Sequence, residues 1–207
     1  MVEEKKAAEI VVLRPLPSEQ VAEAESSDDD LMLLMRAGRQ LAFTLLVRRY
    51  QMRALGVAGK MLGRSDLAKD AVQDAFLQIY RYRDRYRAEG KFRPYFFRVL
   101  VNQCKMIKRK RRRLADWGED RDLPDTAAWP EAQLIEREKM REVEAALRHL
   151  SPKLQSVMVL RYAADLSIKE IAVSLELPVG TVKSRLFAGM DKLKILLKKT
   201  SLKGGPA

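Results

Sequence analysis

Residues 166–186 read LSIKEIAVSLELPVGTVKSRL, and this stretch predicts the helical motif in the second half of the chain. Ser167 and Glu170 have the Ser-x-x-Glu spacing of a capping box, which predicts that a short helix starts here. Pro178 disfavours helical conformation at the residue before it, so the short helix must end there. A longer helix follows, from residue 179 to about 199. Short helix, tight turn and longer helix together predict a helix-turn-helix.

The second helix of such a motif enters the DNA major groove with its N-terminal residues toward the base edges. Polar outward positions suit this role, because Arg pairs with guanine, Lys, Ser and Thr hold phosphates or bases, and Phe contacts a thymine methyl. An amphipathic helix with an ordinary solvated face is the alternative, but the capping box and the proline turn favour DNA binding. The candidate DNA-contacting residues are Thr181, Lys183, Ser184, Arg185 and Phe187.

Blocks of charge and helical periodicity divide the rest of the chain. Residues 1–30 hold nine acidic and three basic side chains, and residues 1–27 are interpreted as a disordered acidic tail. Helical periodicity covers 28–113, is absent from 114–130, resumes over 131–200 and precedes a short tail at 201–207. The prediction is an all-α protein with two small helical domains. A flexible acidic linker joins them, and the second is the helix-turn-helix domain.

A run of one charge sign marks the end of the first domain. Residues 91–113 contain ten Lys or Arg and no Asp or Glu. A solvated face normally mixes signs, so this run indicates an anionic partner, and the rings among the cations suit unpaired bases. Phe96 and Phe97 are expected in the core, whereas Phe92 and Tyr95 are expected to face bases. The polar stripe of this helix comprises Arg98, Asn102, Lys105 and Arg109.

A helix predicted from Ser65 to about Tyr86 carries a patch of acidic and amide side chains. Its apolar residues recur at spacings of three and four and form one face. A solvated surface is the usual explanation of the opposite face. A protein-docking surface is the alternative, and composition does not decide between them. The patch consists of Asp70, Gln73, Asp74 and Leu77.

Composition narrows the class of protein. The chain has 40 Lys and Arg against 28 Asp and Glu, a net charge of +12, which favours a polyanionic partner. Since no stretch reaches the ~20 apolar residues of a membrane span and no secretory signal is found, we expect no membrane insertion and a cytoplasmic location. The single Cys104 and the single His149 exclude a Cys/His zinc site. We therefore predict no enzyme activity, no catalytic residue, no metal and no cofactor.

Three segments, in this order, resemble the bacterial sigma factors of the extracytoplasmic-function group of the sigma-70 family. They are DLAKDAVQDAF at 66–76, FRPYFFRVLVN at 92–102 and the helix-turn-helix stretch at 166–186. The resemblance spans about residues 28–199. It implies a subunit, one copy per polymerase, that binds core RNA polymerase and directs initiation at specific promoter DNA. A free-standing helix-turn-helix regulator is the alternative.

The resemblance also implies roles for these regions. The helix with Asp70, Gln73 and Asp74 would dock on coiled-coil helices of the largest polymerase subunit. The helix with Asn102, and the loop before it, would melt and hold the minus-ten promoter element. The helix-turn-helix would read the minus-thirty-five element as duplex. The linker would thread toward the RNA-exit path, and an anti-sigma protein is expected as a further partner.

The chain departs from the family pattern in two places. Tyr95, preceded by Pro94, stands where the family usually has Trp, so base capture is expected to be weaker or differently aimed. Family recognition helices commonly continue with an Arg-Ala-Arg-like run, whereas this chain has Ala188, Gly189 and Met190. The missing arginine is expected to weaken minus-thirty-five binding. Gly189 also lowers helix stability by up to ~1 kcal/mol relative to alanine.

Overall fold

The computed structural model describes residues 25–116 and 142–201. Every regular element in these two ranges is helical, which confirms the all-α prediction. None of the helices in these ranges is both long and apolar enough to cross a bilayer. The first range contains α1 (Asp28–Arg36), α2 (Gln40–Leu62), α3 (Ser65–Arg81), a 3-10 turn (Arg83–Arg85) and α4 (Phe92–Asp116). The second contains α5 (described over 142–148), α6 (Pro152–Tyr162), α7 (Ile168–Leu175) and α8 (Val179–Ser201).

Local capping interactions set the ends of several helices. The Ser167 hydroxyl accepts from the Glu170 backbone N–H, and the Glu170 carboxylate accepts from the Ser167 N–H, so the predicted capping box starts α7. Ser27 and Asp30 form the same motif at α1, which begins at Asp28, the first residue of the predicted helical region. The helix α7 ends at Leu175, before the proline as predicted, and is followed by Glu176, whose φ of 54° is left-handed. These ends depend on neighbours in sequence, which is why the pattern predicts them well.

The ends of α3 and α4 differ from the prediction. The helix α3 stops at Arg81, because the chain then tightens into the 3-10 turn instead of continuing to Tyr86. The helix α4 begins at Phe92, with Pro94 in its first turn, where a missing N–H costs no intrahelical hydrogen bond. It continues to Asp116, past the predicted start of the linker. The rest of the predicted linker and both predicted tails lie outside the described residues, apart from residues 25–27 and 201.

Aromatic rings from α2, α3 and α4 form the core of the first range. The Phe96 ring centre lies 4.9 Å from that of Tyr50 and 5.0 Å from that of Phe76. Half of the six buried residues of α3 are alanines, namely Ala68, Ala71 and Ala75. Small side chains allow α3 to approach its neighbours closely, and the large rings on the facing helices fill the remaining space. The predicted apolar face of α3 and the predicted burial of Phe96 and Phe97 are confirmed.

Helices from the two ranges also contact each other. The Ser174 hydroxyl on α7 donates to the Pro94 carbonyl on α4 at 2.9 Å. The Gln155 amide on α6 donates to the Lys60 carbonyl on α2 at 3.1 Å, and its oxygen accepts from Lys108 on α4 at 2.8 Å. Burial lowers the pKa of Lys108. Because buried polar groups are satisfied across this contact, the helix-turn-helix has a defined position against α4.

Candidate nucleic-acid interface

A cavity of about 590 Å³ opens between α3, the 3-10 turn, the loop after it and the first turns of α4. Three of the predicted minus-ten residues, Tyr95, Arg98 and Asn102, line this cavity together. Rings beside cations suit an unpaired base that stacks while its phosphate is neutralised. The other lining residues are Gln78, Tyr82, Arg85, Tyr86, Arg87, Glu89, Lys91, Val99 and Val173.

Rings and guanidinium groups lie next to each other around the cavity. The ring centres of Tyr86 and Tyr95 are 5.4 Å apart at an interplanar angle of 44°. The Arg98 guanidinium lies 5.5 Å from the Tyr95 ring centre, and that of Arg85 lies 5.3 Å from the Tyr82 ring centre. Burial raises the pKa of the Tyr86 and Tyr95 hydroxyls. Both phenols are therefore neutral at physiological pH. The Tyr86 hydroxyl donates to Asp29, and the Tyr95 hydroxyl can also act as a donor.

Three other predicted minus-ten residues lie outside this lining. Lys105 and Arg109 are exposed farther along α4, at helical spacing from Asn102, so they extend the same stripe. Phe92 is 2% exposed, and its ring centre lies 5.3 Å from that of Tyr50. The prediction that Phe92 faces bases is wrong. Phe92 is the first residue of α4, and the first turn of the helix directs the ring into the core.

The loop before α7, and α7 itself, lie against the start of α4. The Arg93 guanidinium donates to two backbone carbonyls that precede α7, each at 2.7 Å, and lies 3.6 Å from the Glu170 carboxylate. The Arg98 guanidinium donates to Glu176 at 2.8 Å. Since the Glu176 side chain is 73% exposed, this ion pair contributes little stability. A nucleic-acid phosphate can therefore replace Glu176 at Arg98 at small energetic cost.

The helix α8 carries the predicted recognition residues on its first turns. Lys183 and Ser184 are exposed, and the Phe187 ring is 72% exposed. Thr181 and Arg185 are half-buried. The Ser184 hydroxyl donates to the Thr181 carbonyl at 3.1 Å, which leaves its oxygen free to accept. An exposed ring beside cations and hydroxyls suits a groove that presents both polar base edges and thymine methyl groups.

Gly189 lies on the inner side of α8, where this helix crosses α6. A Cβ built at this position would lie 2.8 Å from Met158 Cγ and 2.9 Å from its Sδ. A side chain at 189 would therefore collide with the Met158 side chain in its present position, and it would point away from the exposed face of α8. Ala188, by contrast, is exposed. The expected loss of an arginine contact thus concerns position 188 and not position 189.

Three of the four predicted patch residues are exposed on α3. Asp70, Gln73 and Asp74 face solvent, and Leu77 is half-buried at the edge of the patch. Partial burial and the neighbouring Asp70 carboxylate raise the pKa of Asp74. Like charges one helical turn apart repel each other. A basic partner surface would relieve this repulsion.

The single cysteine belongs to the core. Cys104 is fully buried on α4, and burial raises the pKa of its thiol to about 12. A thiol with this pKa holds almost no thiolate at neutral pH, and the thiolate is the nucleophilic form. Cys104 therefore contributes packing to α4.

Both ranges match known families. Residues 46–114 match the family model described as Sigma-70 region 2, and residues 140–193 match Sigma-70, region 4. The ECF RNA polymerase sigma-E factor of Haemophilus influenzae is 31% identical over 179 residues, which cover 81% of this chain and 94% of the relative. The ECF RNA polymerase sigma-E factor of Escherichia coli K12 is 30% identical over 177 residues, which cover 81% of this chain and 92% of the relative. The chain belongs to the extracytoplasmic-function (ECF) sigma factors.

Two solved structures share the fold of this sigma factor. CnrH, in complex with the cytosolic domain of CnrY, has a TM-score of 0.65 and 24% identity and covers 84% of this chain and 99% of its own. RpoE of Bartonella quintana, in complex with the anti-sigma factor NepR, has a TM-score of 0.66 and 23% identity. The match covers 75% of this chain and 96% of the RpoE chain. Sigma factors direct transcription initiation by RNA polymerase, and family membership favours this function over that of a free-standing regulator.

The sequence prediction omits several residues that line the cavity of this sigma factor. Tyr82, Arg85 and Tyr86 come from the stretch RYRDRYR at 81–87, in which rings and cations alternate. That alternation is a usable signal, because it is the composition expected of a single-strand binding surface. The prediction of one helix through to Tyr86 hides it, since a helix would have pointed these side chains in several directions.

Proposed function

We propose that this sigma factor captures an unpaired base of the minus-ten element in the cavity at the start of α4. The observation that carries the proposal is that Tyr95, Arg98 and Asn102 line one cavity together with further tyrosines and cations. Bases stack on aromatic faces, and cations follow the strand's phosphates. Lys105 and Arg109 continue the cationic stripe along α4 and contact the phosphate backbone of the same strand.

The exposed patch on α3 docks on core RNA polymerase. Asp70, Gln73 and Asp74 offer carboxylate and amide groups to a basic partner surface, and Leu77 adds apolar contact at the edge. The support is the exposure of an acidic patch on a chain with a net charge of +12. Such a patch repels DNA and attracts a basic protein surface.

The first turns of α8 read the minus-thirty-five element as duplex. Exposed Lys183, Ser184 and Phe187, with half-buried Thr181 and Arg185, offer phosphate contacts, base contacts and one apolar contact. Each well-formed side-chain pair with a base is worth ~1–3 kcal/mol of discrimination.

The proposed organisation has one copy of the chain per polymerase. Residues 28–113 form the minus-ten and polymerase-binding domain, 131–200 form the minus-thirty-five domain, and 114–130 link them toward the RNA-exit path. The chain acts in the cytoplasm and has no enzyme activity of its own. An anti-sigma protein is a second partner; the RpoE structure of similar fold contains one.

Run-off transcription tests the whole proposal. The chain is added to bacterial core polymerase on a library of genomic fragments, and the RNA start sites are sequenced. New start sites that share two upstream elements are expected only when the chain is present. The proposal fails if core polymerase neither binds the chain nor gains a start site.

Asn102→Ala tests the assignment of the cavity. One lost hydrogen bond to a base is worth ~1 kcal/mol, so open-complex formation should fall roughly five-fold. Permanganate footprinting of a mapped promoter measures open-complex formation through the reactivity of unpaired thymines. Affinity for core polymerase should not change, because the docking patch lies on α3. Equal losses of polymerase affinity and promoter opening would contradict the assignment.

A further inference from the structure

We infer that Asp29, in the first turn of α1, positions the loop of residues 86–91 and so sets how selectively the cavity takes an unpaired base. The inference rests on the proposed function of the cavity. Asp29 does not line the cavity, and it lies outside the ranges 46–114 and 140–193 that match the sigma-70 families.

One carboxylate contacts both ends of this loop. The Tyr86 hydroxyl donates to one oxygen of Asp29 at 2.6 Å, and the Gly90 backbone N–H donates to the other oxygen. Hydrogen bonds to an ionised acceptor are roughly twice as strong as neutral ones. Because the two donors are four residues apart in sequence, Asp29 holds the loop in a single curved conformation.

The loop needs such an anchor. Residues 87–91 are exposed, and Gly90 has a φ of +67°, a conformation that L side chains rarely adopt. Glu89 and Lys91 form an ion pair at 3.0 Å, but both side chains are more than half exposed, so this pair contributes little to the order of the loop. The Tyr86 contact with Asp29 is partly buried, the Gly90 contact is exposed, and both are charge-assisted. Because the two bonds share one carboxylate, they order the loop more than the exposed ion pair does.

The helix α1 is itself fixed to the core, which makes Asp29 a rigid support. The Asp28 carboxylate accepts from the Arg49 guanidinium at 2.8 Å and from the Tyr50 hydroxyl, both on α2. Leu31 and Met32 of α1 are buried. The contacts of Asp28 therefore fix α1 to α2, and the contacts of Asp29 fix the loop to α1.

Loss of the Asp29 carboxylate would release the wall of the cavity. Tyr86, Glu89 and Lys91 of this loop all line the cavity, and the Tyr86 ring packs beside that of Tyr95. A freed loop would let these side chains adopt several positions. A cavity without a defined shape still attracts a nucleotide through its cations, but it distinguishes less well among the four bases.

The test uses holoenzyme assembled from the full chain and core polymerase. The probes are short single-stranded DNAs that carry the non-template minus-ten sequence of a mapped promoter, with each base changed in turn. Asp29→Ala should weaken binding of the preferred probe about ten-fold and bring its affinity close to that of the base-substituted probes. A purely structural loss would weaken all probes equally. Core affinity should be unchanged.

Two further variants separate the loop contact from other effects. Asp29→Asn keeps an accepting oxygen and should restore part of the base discrimination. Tyr86→Phe keeps the ring and loses only the hydroxyl; it should lower discrimination in the same direction. The double variant Asp29→Ala/Tyr86→Phe should be no worse than Asp29→Ala alone, because both changes remove the same hydrogen bond.

Asp30→Ala is the matched control, since it removes the same charge from the same helical turn but leaves the loop contacts intact. Asp30 caps α1 through Ser27. An equal loss of discrimination in Asp30→Ala would overturn the inference by making α1 stability the cause. Wild-type discrimination in Asp29→Ala, while Asn102→Ala loses binding, would overturn it and leave the proposed function standing. A wild-type holoenzyme without base preference would overturn both.

Discussion

Gly189→Ala should destabilise the protein, although the same change in an open helix position stabilises it. Alanine is favoured over glycine in a helix interior by ~1 kcal/mol. At position 189, however, the new Cβ would lie 2.8 Å from Met158 Cγ. Met158 is 2% exposed, so its side chain cannot move aside without displacing other core residues. Such overpacking costs ~1–3 kcal/mol. The net expectation is a loss of about 1 kcal/mol.

Gly56→Ala is the matched control. Gly56 lies inside α2, and a Cβ built there meets no atom within 4 Å. This variant should gain up to ~1 kcal/mol, so the two alanine variants should differ by about 2 kcal/mol in opposite directions. Urea denaturation followed by circular dichroism measures both free energies of unfolding.

A double-mutant cycle identifies the source of the effect. Met158→Ala leaves space beside α8, so Gly189→Ala should lose less stability in that background than in the wild type. A Gly189→Ala variant as stable as Gly56→Ala would show that no clash with Met158 exists. An equal cost of Gly189→Ala with and without the Met158 side chain would show that the clash is not the source of the loss.

Two functional predictions concern the other exposed sites. Ala188→Arg should strengthen binding of a duplex minus-thirty-five probe. It should also steepen the slope of log affinity against log salt concentration by about 0.9, as one added phosphate contact does. Ala188→Glu should weaken binding, and an unchanged salt slope in the arginine variant would contradict the placement of position 188 near DNA. Asp70→Ala with Gln73→Ala should lower affinity for core polymerase roughly ten-fold in a fluorescence titration, since each lost polar contact is worth ~0.5–1.5 kcal/mol. Asp84→Ala, which removes an exposed carboxylate outside the α3 patch, should bind core polymerase normally.

The parts of the fold that the sequence predicts well depend on short-range interactions. Ser167 and Glu170 are three residues apart, and their capping box starts α7 as the spacing predicts. Pro152 begins α6, and the break before Pro178 separates α7 from α8. Apolar spacing of three and four predicts the buried face of α3. Each of these features is decided within one or two helical turns, so the local sequence contains the information needed.

The candidate surfaces were predictable only in part. The stripe from Arg98 to Arg109 and the recognition positions of α8 follow from helical spacing and charge. The direction of the Phe92 ring does not, because it depends on where α4 starts and on Tyr50, which is contributed by another helix. The wall formed by Tyr82 and Tyr86 also escapes prediction, since the chain leaves α-helical geometry after Arg81 and enters a 3-10 turn that the periodicity does not predict.

Local patterns in the sequence were enough to predict the helix-turn-helix, its capping box, the basic and acidic blocks and the family resemblance. Which side chains meet across long separations follows only from the packing of the helices. Asp29 reaches Gly90 over 61 residues of sequence, and Gly189 meets Met158 on a different helix. Periodicity shows which face of a helix is apolar but not which neighbour covers it. Both contacts arise because helices far apart in sequence pack in one particular orientation.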